Sequence, residues 1–114
     1  MTEKEFKAKT EALKDSCRIY RKEKQTLLDM EKAGVNTGDF SKTQLYLFIK
    51  EDVEFVEQTL KQIEKVCGKN ARLLIWLLFV EERTQAAVAQ EFDITRRQLQ
   101  YSVNKWLRMI WEEE

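Results

Sequence analysis

Proline is absent from this chain of 114 residues, and glycine occurs three times, at Gly34, Gly38 and Gly68. A β-sandwich or barrel needs a turn signal every ~8–12 residues, and proline and glycine supply most of those signals. With so few breakers the chain is expected to be all-α. Its 43% apolar content is enough for one modest core and too high for a disordered chain.

Helix boundaries are written into the sequence. Thr2 and Glu5, Ser41 and Gln44, and Thr95 and Gln98 each have the spacing of a capping box, in which the first side chain caps the helix and the second reaches back. Apolar pairs flank each box at the staple positions: Met1 with Phe6, Phe40 with Leu45, and Ile94 with Leu99. Gly34 and Gly68 suit the positive-φ position that ends a helix. These signals predict helices over about 2–33, 41–67, 70–82, 85–92 and 95–111, with residues 35–39 as a loop.

The first two helices carry matching stripes. Phe6, Leu13, Tyr20 and Leu27 recur every seven residues, with Ile19 and Met30 beside them. Tyr46, Ile49, Val53, Val56, Leu60, Ile63 and Cys67 alternate spacings of three and four, an a/d seam over three heptads. A short connection makes an antiparallel helical hairpin the expected arrangement of residues 1–67. The seam suits closure within one chain or against a second copy. Cys67 on that seam reads as a small packed hydrophobe.

Composition excludes several chemistries. The chain has no histidine, so no imidazole base, catalytic triad or histidine metal site is available. Cys17 and Cys67 are too few for a zinc site and form no C-x-x-C, and the glycines form no phosphate-binding loop. An enzyme is not expected, nor is a cofactor or a metal. The longest apolar run, Leu73 to Val80, is eight residues against the ~20 a membrane span needs. The charged N-terminal segment is unlike a signal peptide, so a cytoplasmic location with reduced cysteines is expected.

Residues 84–107 carry the functional signal. A short helix ends near Phe92, a tight turn follows at Asp93 and Ile94, and a capped helix starts at Thr95. Ala89 is small where two helices cross, Val88 and Phe92 face inward, Ile94 plugs the turn, and Leu99 and Val103 anchor the second helix. This layout resembles the helix-turn-helix of sigma-70 region 4, through Ala89, Ile94, Thr95, Leu99 and Val103. The resemblance covers about 70–111, and the whole chain resembles, more loosely, small sigma-like proteins of phages and mobile elements. One departure is Asp93, where that family's turn usually holds glycine. The resemblance implies a helix that reads duplex DNA, and a hairpin that serves dimerisation or docking onto RNA polymerase or another transcription protein.

A helical projection of 95–111 places Leu99, Val103, Trp106 and Ile110 on one arc. Arg97, Tyr101, Asn104 and Arg108 lie opposite, with Gln100 on one side and Lys105 and Gln98 on the other. Arginine, asparagine and glutamine match base edges of the major groove, and Arg96 and Arg97 sit at the helix start, where recognition helices touch DNA. The expected DNA-contacting set is therefore Arg96, Arg97, Gln100, Tyr101, Asn104, Lys105 and Arg108. Residues 95–111 hold four cations and no acid, net +4, whereas the other residues hold 16 cations and 20 acids, net −4. The basic charge is local, as a DNA-reading face requires, but a neutral chain neutralises few phosphates by itself. A dimer or a larger DNA-bound machine would supply the remaining affinity. The competing reading is a helical protein–protein interaction module in which this unit only packs.

Three details complete the reading. Trp76 and Trp106 are expected in the core. Trp111 falls off the core arc, suiting either an interface or a contact with the first helix. The terminal acids Glu112 to Glu114 oppose the helix dipole and read as a frayed tail or as a shield over the basic face. The expected domains are a hairpin, 1–67, and a sigma region 4-like unit, 68–114.

Overall fold

A computed structural model of the chain describes residues 1–34 and 39–112, apart from the side chain of Phe40. Most of the described residues are helical, with no strand among them. Five helices follow in order: α1 (Glu3–Ala33), α2 (Phe40–Cys67), α3 (Lys69–Ile75), α4 (Gln85–Glu91) and α5 (Arg96–Glu112). The expected third helix runs on past Ile75 without a break, widening into a π-helical turn over Trp76–Val80. That turn closes through a bond from the Glu81 amide to the Trp76 carbonyl (3.1 Å).

The caps explain most boundaries. Thr2 accepts from the Glu5 amide at 3.1 Å, as its box predicts. Gly34 and Gly68 have φ of +82° and +101°, conformations that glycine enters without steric cost. The second box is displaced. Asp39 caps α2 by accepting from the Lys42 amide at 3.2 Å, so the helix starts at Phe40 rather than after Ser41. A carboxylate at the helix start also complements the dipole, which a serine hydroxyl does not. The loop residues 35–38 and the Phe40–Leu45 staple fall outside what is described.

α2 runs back along α1. Tyr46 donates to Glu31 (3.0 Å) near the connection, and Tyr20 donates to Glu57 (2.6 Å) farther down. The α1 and α2 stripes close on each other within the chain. Phe6, Leu13 and Leu27 are buried on one side, and Ile49, Val53, Val56, Leu60 and Ile63 on the other. Cys17 joins them with no exposure, and burial pushes its thiol up to about 12, which leaves it unreactive. Ile19, beside the α1 stripe, is 46% exposed. At the lower half of this pair α3 packs on α2 and the π turn on α1, and α4 packs in turn on the π turn and on α5. The main core joins Leu13, Val56, Leu60 and Ile63 to Ile75, Leu77, Val88, Leu99 and Leu107. Trp76 and Trp106 lie at its edge, half-buried, and the Trp76 indole donates to Glu81. The upper half of the pair holds only a small cluster of Leu27, Ile49 and Val53. The radius of gyration, 16.2 Å, exceeds the ~13 Å expected for a compact chain of this length, because that half projects.

Both edges of the α1–α2 seam carry polar groups. On one edge the Tyr20 hydroxyl and the Lys24 ammonium meet Glu57. Burial alone raises that carboxyl, but these two partners outweigh it and hold it below its ordinary value. On the other edge Ser16 donates to Asp52 at 2.7 Å, and Glu23 faces the same carboxylate. Burial and then the hydrogen bond and charge of Asp52 push the Glu23 carboxyl up to about 7. One Glu23 oxygen is buried without a partner.

Two predictions follow from these contacts. Asp39→Ala should lower stability by ~1 kcal/mol in urea unfolding, while Ser41→Ala should change it little. A raised folded-state value means the protonated Glu23 form is stabilising, so its contribution is present at acid pH and is lost as pH rises through about 7. Between pH 5 and pH 8 the natural protein should therefore lose on the order of 1 kcal/mol more stability than Glu23→Gln, after allowance for solvent screening.

Candidate functional site

α4, a tight turn and α5 form the C-terminal corner of the molecule. Thr84 caps α4 by accepting from the Ala87 amide at 3.1 Å. The turn closes through bonds from the Ile94 amide to the Ala89 carbonyl (3.0 Å) and from the Asp93 amide to Gln90 (3.2 Å). Ala89 is buried, so the two helices approach closely there. Asp93 has φ of +55°, the position where glycine is the least strained residue and aspartate one of the better substitutes. Thr95 and Gln98 make a complete capping box. The Thr95 hydroxyl accepts from the Gln98 amide at 3.0 Å, and the Gln98 side-chain oxygen accepts from the Thr95 amide at 2.9 Å. The box sets where α5 starts and so places Arg96 and Arg97 in its first turn.

The buried face of α5 is turned from the expected arc. Leu99, Val103, Leu107 and Ile110 are buried, and Trp106 is only half-buried. The rotation has a cause. α5 packs on α2, α3 and α4, with the Cys67 thiol 3.9 Å from the Trp106 carbonyl, and its last turns touch Glu3 and Phe6 at the start of α1 through Arg108 and Trp111. Leu107 fills the space between those contacts.

The seven singled-out residues therefore divide into two groups. Arg96, Arg97, Tyr101 and Lys105 point away from the body, and Tyr101 is 69% exposed. Among the described residues, no acid pairs with Arg96, Arg97 or Lys105. Tyr101 and Arg97 border a shallow depression of about 540 Å³ with Ile94, Thr95, Gln98 and Ser102. The second group lies on the α1 side. Gln100 is exposed and donates to Gln85 at the start of α4 (2.6 Å). Asn104 is also exposed. Arg108 is half-buried, stacked 3.9 Å above the Phe6 ring and bonded to Glu3 at 2.7 Å. Trp111 packs edge-on against the same Phe6, with ring centres 5.8 Å apart, so it folds back onto α1. Glu112 is exposed, and the tail residues 113–114 lie outside the described residues.

A cleft of about 480 Å³ opens between α1 and α5, lined by Lys14, Arg18, Arg83, Gln85, Gln100 and Asn104 among others. Sequence reading missed its α1 wall and Gln85, because nothing local marks residues brought in from so far along the chain. Its cations do not make it electropositive. Lys14 pairs with Glu11, Arg18 with Asp15 and Glu82, and Arg83 with Glu81 and Glu91. On α5, by contrast, Arg96, Arg97 and Lys105 carry no ion pair among the described residues. Among the described residues no group of three or more His, Cys, Asp or Glu is placed to hold a metal ion, and no helix is long and apolar enough to cross a membrane.

No protein-family model matches the chain, and no curated protein or solved structure matches it significantly.

The turn offers a direct check. Asp93→Gly should leave stability equal or slightly higher in thermal melts, whereas Asp93→Val should lower it by about 1–2 kcal/mol, the cost of a branched residue at positive φ.

Proposed function

We propose that the chain is a DNA-binding transcription regulator, in which α4 and α5 form a sigma-70 region 4-like helix-turn-helix and α5 reads duplex DNA. The supporting observation is the start of α5. A complete capping box fixes it, Arg96 and Arg97 project from it, and Lys105 follows farther along the helix, all three without acid partners among the described residues. Arg96 and Arg97 meet the phosphate backbone or guanine edges, and Tyr101 lies between them and Lys105. Gln100, braced by Gln85, and Asn104 offer amides for adenine edges on the α1 flank. Arg108 is the weakest member of the set, because a phosphate must displace Glu3 to reach it. The protein acts by binding, without catalysis, cofactor or metal, in the cytoplasm. The α1–α2 hairpin, residues 1–67, serves assembly with a second copy or with a transcription protein such as RNA polymerase.

A second reading has its own support in the zero net charge and the apolar side chains exposed along α2. In it the chain is a helical protein–protein interaction module, and α4 and α5 only pack. Salt dependence separates the two. DNA binding through three or four cations gives a log–log slope of about −3 to −4 per copy, while an apolar interface gives almost none.

The deciding measurement is fluorescence anisotropy with a labelled random duplex at low and moderate salt. The natural protein should bind with that slope. Arg97→Ala combined with Asn104→Ala should weaken binding about tenfold or more at unchanged helicity, since each good contact is worth ~1–3 kcal/mol. Equal binding by the double variant removes the recognition role of α5.

A further inference from the structure

The open edge of the α1–α2 seam carries an uncovered apolar face. Phe48 and Phe55 lie four residues before and three after Asp52, so all three share one side of α2. Asp52 is bonded to Ser16 and faced by Glu23, and Ile19 lies between those two along α1. Ile19, Phe48 and Phe55 therefore surround the place where the two helices meet, with Leu45 one turn farther along. These four are 40–66% exposed, Phe48 most of all. The opposite edge of the seam is covered, since the Tyr20 ring packs edge-on against Trp76 at 5.8 Å. The same side of α2 continues to Thr59, which is buried, and to Val66, which packs on the main core. One stripe is thus covered at its C-terminal end and bare at its N-terminal end. Residues 45–49 of α2 are apolar or aromatic all round, a pattern typical of a helix enclosed by neighbours.

We infer that this face, built on Ile19, Leu45, Phe48 and Phe55, is the contact between two copies of the chain, whose α1–α2 pairs stack into a four-helix bundle. The extent of the face fits. α2 from Ser41 to Thr59 is about 27 Å long, and a two-helix layer is about 20 Å wide, which gives roughly 500–600 Å² on each copy. A symmetric pair buries about 1,000–1,200 Å² in total, the size of a weak, reversible interface just below the stable range. The layout is self-complementary. Phe48 and Phe55 flank Asp52 almost evenly, so an antiparallel crossing at Asp52 sets Phe48 of each copy against Phe55 of the other. The choice of a second copy as occupant rests on the functional reading above. The local +4 charge of one copy grips DNA weakly, and a two-fold pair presents two copies of α5.

Sedimentation velocity on the full chain, from about 5 to about 100 µM, tests this directly. The natural protein should sediment at twice 13.7 kDa over the upper part of that range. Phe48→Glu with Phe55→Glu should sediment at 13.7 kDa with an unchanged helical signal, because both side chains are already exposed. Leu73→Glu, exposed on α3 away from this face, should stay dimeric. A natural protein that is monomeric throughout, or a double variant that stays dimeric, overturns the inference. Titration of the same samples with duplex keeps the two proposals apart. A dimer that dissociates on the double substitution yet ignores DNA removes the functional reading and leaves this interface standing. A monomer that binds DNA does the reverse.

Discussion

The packing of Leu13 and Cys17 against α2 and the C-terminal helices holds the molecule together. Both side chains are fully enclosed, and the layers that meet over them come from the beginning, middle and end of the chain. α3 and α4 have seven residues each, too short to persist alone in water. They are stable because Ile75 and its neighbours in α3 bury against α2, and Val88 and Ala89 of α4 bury against α5 and the π turn, at about 1.5–3 kcal/mol for each large side chain. The orientation of α5 therefore depends on a contact far away in sequence. Without α1, Phe6 would not support Arg108 and Trp111, and the cleft beside Gln100 would have no second wall.

This dependence shapes the electrostatics of the candidate site. The body carries more acids than cations and uses them locally, matching Lys14, Arg18, Arg83 and Arg108 with nearby carboxylates. Exposed pairs of this kind add little to stability, but they cancel positive field wherever they occur. On the outer side of α5, Arg96, Arg97 and Lys105 stand without an acid partner among the described residues and with no acid among residues 95–111 to offset them. A chain with no net charge can thus keep a small basic surface, provided that surface points away from α1. Its strength is limited to a few charges, so any affinity for a polyanion rises steeply with the number of copies.

Sequence reading was most successful where the physics is local. The cap at Thr2, the complete box at Thr95 and the positive φ at Gly34, Gly68 and Asp93 involve residues within a few positions of each other. The seam residues Ile49, Val53, Val56, Leu60 and Ile63 are buried because a helix repeats every 3.6 residues whatever its partner. It failed where two local signals competed, as at Asp39 and Ser41, where the stronger acceptor took the cap. It also failed where a distant neighbour decided the outcome. A helical projection centred on α5 alone sets Arg108 opposite the core. It cannot register that the start of α1 lies against that flank, with Phe6 under the guanidinium and Glu3 beside it.

The sequence by itself determined that the chain is helical, where most helices begin and end, and which stripe of α2 turns inward, since these follow from caps, backbone preferences and periodicity. Only the tertiary structure decided that the α1 and α2 stripes close on each other within the chain. It also decided that Leu107 rather than Trp106 completes the buried face of α5, and that Phe48 and Phe55 are left bare. Those outcomes depend on how much surface each element has left to cover once its neighbours are in place, and no short stretch of sequence contains that quantity.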